Sequence, residues 1–141
     1  MTNSIYPCLW FDGQAQEAAQ YYCSVFKDSK IIDSNQIVAS FELKGQKFMA
    51  LNGGPQFKFN EAVSLVVDCK DQEEIDYYWD KLTADGGSEG NCGWLKDKFG
   101  VSWQIVPTAL GKLLSAPGKF QKVMEAFMKM KKFDIKTLEN A

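Results

Sequence analysis

The segment Leu9-Trp10-Phe11-Asp12-Gly13-Gln14-Ala15-Gln16-Glu17-Ala18-Ala19-Gln20-Tyr21-Tyr22 returns fifty-six positions later as Leu65-Val66-Val67-Asp68-Cys69-Lys70-Asp71-Gln72-Glu73-Glu74-Ile75-Asp76-Tyr77-Tyr78. Leu9, Asp12, Gln16, Glu17, Tyr21 and Tyr22 meet identical residues in the second copy. In both copies a short apolar run precedes a stripe at helical spacing. Ala15, Ala18, Ala19, Tyr22 and Phe26 make the first stripe; Ile75, Tyr78, Trp79 and Leu82 make the second. Asp71 with Glu74 reads as a capping box, in which the Asp side chain accepts from orphan amides and Glu74 reaches back. A repeated strand–helix order that coincides with repeated letters points to internal duplication.

The pattern continues outward from each copy. Residues 5–11 read as the first strand, closed by Asp12-Gly13. After the first helix, Ile31-Ile32, Ile37-Val38 and Phe41-Glu42-Leu43 suggest short extended segments, interrupted at Asp33-Ser34-Asn35. Lys44-Gly45 signals a turn into a strand at 47–52, which Gly53-Gly54-Pro55 ends. In the second half, strand 62–68 and its helix are followed by the stop Gly86-Gly87. Extended segments at 92–96 and 101–107 then flank the turn Asp97-Lys98-Phe99-Gly100. Beyond Pro107 the period becomes helical: Leu110, Leu113 and Leu114, then Phe120, Val123, Met124, Phe127 and Met128, then a last turn capped by Asp134. The expectation is an α+β fold of two βαβββ modules with C-terminal helices. Module one spans about 1–60, module two about 61–107 and the helical tail 108–141, all within one domain.

With 141 residues, 45% hydrophobic and 24% charged, the chain suits a single globular core. A net charge of −2 gives no electrostatic footprint for nucleic acid. The cluster Lys129, Lys131 and Lys132 suits a helix C-terminus. No apolar run approaches the roughly 20 residues that span a bilayer. No basic segment, apolar stretch and cleavage site open the chain, so a cytoplasmic location is expected, with neither membrane nor nucleic-acid partner. Cys8, Cys23, Cys69 and Cys92 form no CxxC pair and read as small apolar groups. There is no histidine. Ser-His-Asp and Cys-His catalysis and every histidine-ligated metal centre are therefore closed to a single chain.

Pro7-Cys8-Leu9-Trp10-Phe11-Asp12-Gly13 with Glu17-Ala18-Ala19, Ala50-Leu51-Asn52-Gly53-Gly54-Pro55, and Phe57-Lys58-Phe59-Asn60-Glu61 carry a resemblance. So do Cys92-Gly93-Trp94-Leu95-Lys96-Asp97, Gly100-Val101-Ser102-Trp103-Gln104-Ile105-Val106-Pro107 and the Met130-Lys131-Lys132 tail. The chain resembles the PhnB-like proteins of the glyoxalase/bleomycin-resistance (vicinal oxygen chelate) superfamily, a group labelled 3-demethylubiquinone-9 3-methyltransferase. The resemblance implies an incomplete, mainly antiparallel barrel around a cleft, usually in a homodimer. It says less about chemistry, because function lives in the site rather than the fold.

Members of the wider superfamily commonly hold a divalent metal with His and Glu on inner strands. The corresponding positions here fall at or near Cys8, Asn52, Ser64 and Gln104, none a carboxylate or imidazole. Neutral amide and hydroxyl oxygens are poor donors for a catalytic cation, so no metal and no cofactor is expected. These groups can still orient a ligand by hydrogen bonding, and Trp10, Trp94 and Trp103 can wall a planar ring. Alternation puts Ser102 and Gln104 opposite Trp103 and Ile105, which leaves Trp103 to the core. Cys8, Trp10, Asn52, Ser64 and Gln104 are thus the candidate ligand-binding residues. The helix acids Glu73, Glu74, Asp76 and Asp80 read as solvated surface; Asp68 and Asp12, at strand ends, read as turn or cap residues. The methyltransferase label finds no glycine-rich loop between a strand and a helix. Three readings stay open: a binder of a small, partly aromatic molecule; a superfamily enzyme of unknown substrate; and a dimeric interaction module.

Overall fold

The computed structural model describes residues 4–141. The chain divides into two compact units, Met1–Phe59 and Asn60–Ala141. In the first, β1 (Cys8–Phe11) leads into α1 (Ala15–Val25), followed by β2 (Ser29–Ser34), β3 (Val38–Leu43) and β4 (Gln46–Asn52). The second unit runs β5 (Ser64–Cys69), α2 (Gln72–Thr83), β6 (Ser88–Glu89), β7 (Trp94–Lys96) and β8 (Ser102–Pro107). It closes with α3 (Leu110–Ser115), α4 (Phe120–Phe127) and α5 (Ile135–Glu139).

Each unit holds a four-stranded mixed sheet, ordered β1-β4-β3-β2 in one and β5-β8-β7-β6 in the other. Within each, one pair is parallel (β1 with β4, β5 with β8) and the remaining pairs are antiparallel. The duplication read from the sequence therefore extends to strand order and pairing direction.

In the first unit, alternation turns Leu9 and Phe11 of β1 inward with Ala39, Phe41, Leu43, Phe48 and Ala50. The fully buried Ala15, Ala18 and Ala19 let α1 lie close on that sheet. Tyr22 stacks on Phe41 at 6.0 Å, and Phe41 on Phe48 at 5.4 Å. The first strand starts later than expected: Ile5 is fully exposed and pairing begins at Cys8. The anticipated break at Asp33 is instead a bulge, with the β2–β3 register slipping between Ile31 and Asp33.

In the second unit the buried stripe Ile75, Tyr78, Trp79 and Leu82 of α2 shares the core with Val67, Cys69, Leu95, Trp103 and Ile105. The capping box forms one residue wider than the usual pattern. Asp71 Oδ1 accepts from Glu74 N at 2.9 Å, while Glu74 Oε1 accepts from Lys70 N at 2.8 Å. Strand β6 carries no apolar signal and was not foreseen. It follows Gly87, where a Cβ would meet the carbonyl oxygens of Leu82 and Lys96.

The tail belongs to this unit. Cys92 N and Gly93 N donate to Met130 O and Lys131 O, both at 2.8 Å. The Phe133 ring fills the space where Gly93 lacks a side chain. Gln72 clasps the same stretch, donating from Nε2 to Phe133 O and accepting from Ile135 N, each at 2.9 Å. Lys132 meets Asp76 at 2.8 Å, which holds the Asp76 carboxyl below its ordinary range, mainly through that hydrogen bond. Among the described residues no helix is long and apolar enough to cross a membrane.

The β7–β8 hairpin turns on a buried carboxylate. Asp97 is 2% exposed. Its Oδ1 accepts from Phe99 N (2.9 Å) and Val101 N (3.1 Å), and its Oδ2 from the Trp103 indole (2.8 Å). Removing a buried, multiply bonded carboxylate strands its donors, which costs several times an ordinary hydrogen bond. Asp97→Ala is expected to lower unfolding free energy in urea by about 3 kcal/mol. Asp97→Asn, which keeps the shape but offers only one acceptor oxygen, should lose less.

Candidate functional site

With helices packed on one face of each sheet, the side chains that alternate the other way form an open face. In the first unit that face carries Cys8 and Trp10 from β1 beside Met49 and Leu51 from β4. Trp10 is committed locally: its indole donates to Gly54 O at 2.8 Å and its ring stands edge-on to Phe57 at 5.0 Å. A Cβ on Gly53 would overlap that ring, so Gly53 is what admits it. Cys8 is exposed, but partial screening of its sulfur from water raises its thiol above the ordinary value and disfavours a reactive thiolate.

Asn52 is spent on the scaffold. Helix α1 lacks an acceptor of its own, since Gln14 makes no side-chain cap. Asn52 Oδ1 supplies one, accepting from Ala15 N at 2.8 Å, while Nδ2 donates to Gln16 Oε1 (3.0 Å) and Gln36 O (3.1 Å). Residue pairing makes Leu51 the topological counterpart of Gln104: β1 Cys8 pairs with Met49 where β5 Ser64 pairs with Ser102, and each next step of two reaches Leu51 and Gln104.

In the second unit the open face is more polar. Gln104 Nε2 donates to Ser64 Oγ at 3.0 Å, so two of the sequence candidates are joined directly. The register places Gln104 between Val66 of β5 and Trp94 of β7, and Ser102 between Ser64 and Lys96. Val66 is 57% exposed and Trp94 half-buried. Trp103 faces the core, 2% exposed. A cavity of about 410 Å³ opens on this sheet, lined among others by Glu61, Ser88, Asn91, Trp94, Lys96 and Ser102. Ser102 is 1% exposed, and its hydroxyl has no hydrogen-bond partner among the described residues. Lys96 pairs with Glu61 at the cavity, and that hydrogen bond lowers the Glu61 carboxyl below its ordinary range. Lys96, Glu61 and the unsatisfied Ser102 were missed as candidates. Alternation from Trp94 to Lys96, once the hairpin register is fixed, is the signal that finds Lys96.

A divalent metal of the superfamily type does not fit here. Gln104, Ser64 and Ser102 are neutral, and Leu51, at Gln104's counterpart in the first unit, offers no donor atom. Among the described residues no three His, Cys, Asp or Glu side chains converge to hold a metal ion. Nor is there a nucleotide-binding turn: β1–α1 carries a single glycine, Gly13, and β5–α2 none.

Residues 3–106 match the 3-demethylubiquinone-9 3-methyltransferase family. The chain belongs to that family. Among solved structures it is similar to the PhnB protein of Bacillus cereus, described under the same methyltransferase heading. The two are 34% identical, the match covers 75% of this chain and all of that one, and the TM-score is 0.69. A Pseudomonas aeruginosa protein at 18% identity (75% of this chain, 98% of that one, TM-score 0.61) shares the fold. So does the fosfomycin resistance protein of Listeria monocytogenes, complexed with Mn(II) and sulfate, at 14% identity (81% and 96%, TM-score 0.58). No curated protein matches the chain.

The placement of Asn52 makes its substitution a scaffold lesion. Asn52→Leu is expected to lower stability by about 1–2 kcal/mol, the usual cost of a lost helix cap, measured by urea denaturation. Gln104→Leu, on the open face, should shift the midpoint by less.

Proposed function

We propose that this member of the methyltransferase-labelled family is a binding protein. Its ligand is a small molecule with a planar ring and a hydrogen-bonding edge, held without metal on the open face of β5-β8-β7-β6. The observation that carries the reading is the unpartnered Ser102 hydroxyl in the wall of a 410 Å³ cavity beside Trp94. A buried hydroxyl without a partner costs about 1–3 kcal/mol. A ligand that supplies the missing partner recovers that energy on binding.

Neighbouring groups support the same occupant. The Trp94 indole can cover a ring face. Gln104, paired with Trp94 across β7–β8, gives one amide hydrogen to Ser64 and has a carbonyl oxygen that can accept. The volume suits a ligand of drug-fragment size. Methyl transfer is not part of this reading: two mixed sheets without a glycine-rich strand-to-helix turn provide no seat for the nucleotide half of a methyl donor.

The test is a screen of planar aromatic fragments bearing a carbonyl or hydroxyl, by thermal shift and then calorimetry. Fragments that bind wild type should lose about tenfold in affinity with Gln104→Leu, the worth of one hydrogen bond. Trp94→Leu should cost a similar factor. Hits whose affinity neither substitution changes, or a screen with none, would defeat the proposal.

A further inference from the structure

Among the described residues, the cavity beside Ser102 is lined by one cation, Lys96, whose ion-pair partner is Glu61. Glu89 also lines the cavity, but Glu89 pairs with Leu95, on the side of the sheet that α2 covers. There its Oε2 accepts from the Trp79 indole at 3.1 Å. Glu61 precedes β5 on a turn, with a side chain 60% exposed. Exposed ion pairs of this kind are worth little, because water screens them and two long side chains must be ordered. Lys96 and Ser102 face each other directly across the β7–β8 pair. Opposed side chains in an antiparallel ladder have Cβ atoms about 5 Å apart, close enough for one small anion to engage both.

We propose that the ligand is an aromatic acid whose carboxylate displaces Glu61 from Lys96 and accepts from the Ser102 hydroxyl, while its ring lies on Trp94. This inference rests on the ring-binding reading above and gives it a charge. Glu61 then acts as an exchangeable counter-ion: it pairs with the Lys96 ammonium at the cavity and yields it to a carboxylate that also satisfies Ser102. The exchange replaces one exposed pair by a charge-assisted bond plus a hydroxyl bond, so the second contact supplies the selectivity.

The experiment titrates the full chain with benzoate, benzamide and benzylamine, following the tryptophan indole and glutamine side-chain amide signals by ¹⁵N NMR. Benzoate is expected to bind at least fivefold tighter than benzamide, and benzylamine not to bind. Glu61→Gln removes the competitor and should tighten benzoate by a few-fold while leaving benzamide unchanged. Lys96→Met should erase the preference for benzoate. Ser102→Ala should weaken benzoate about fivefold. Amide dispersion equal to wild type in each variant establishes that the fold is kept, and Glu61→Gln, at an exposed position, tests the exchange even if Ser102→Ala fails to fold. Benzamide binding as well as benzoate, stronger binding of benzylamine, or weaker benzoate binding in Glu61→Gln would overturn the acid assignment and leave the ring-binding reading standing. If none of the three shifts Trp94 or Gln104, both fall.

Discussion

The hydrogen bond from the Trp103 indole to the buried Asp97 carboxylate fixes which way the central strand of the second sheet faces. Side chains alternate along a strand, so a slip of one residue would exchange every inward group for its outward neighbour. Asp97 closes the turn through two backbone amides and at the same time anchors the indole two residues into β8. Trp103 and Ile105 are thereby committed to α2. Ser102 and Gln104 are committed to the open face. The Ser64–Gln104 bond, the position of Trp94 beside Gln104 and that of Lys96 beside Ser102 all follow from this one choice.

The two units show how a duplicated frame can divide its work. Equivalent strand pairs present Cys8, Met49 and Leu51 in one copy and Ser64, Ser102 and Gln104 in the other. Around the first set, the polar groups serve the scaffold: Asn52 caps a helix that lacks an acceptor, and the Trp10 indole is tied to Gly54 O. Around the second set, the helix caps itself through Asp71, and the strand polar groups remain directed to the open face. The second set consists of neutral side chains, two hydroxyls and an amide, each able to donate and accept.

Much of this was legible in the letters. The Leu9–Tyr22 repeat predicted both strand–helix units, and the two stripes predicted which faces of α1 and α2 are buried. The alternation Ser102-Trp103-Gln104-Ile105 predicted the sides of β8. What could not be read depended on partners distant in sequence. Asn52 ends an apolar strand and reads as a site residue until its bond to Ala15, thirty-seven residues away, is seen. Asp97 reads as an ordinary turn residue; its burial comes from Trp103 closing over it. Strand β6 has neither apolar residues nor length, and it follows Gly87, where a side chain would collide with the end of α2. The Lys96–Glu61 pair joins the last residue of β7 to the turn before β5, an approach that no local pattern encodes.

The face assignment of β8 can be measured directly from nuclear Overhauser contacts of the Gln104 side-chain amide protons. They should appear to the Trp94 ring and the Ser64 β protons, with the Trp103 ring showing contacts to α2 instead. Contacts from the Gln104 amide to Ile75 or Tyr78 would put that side chain in the core and contradict the account.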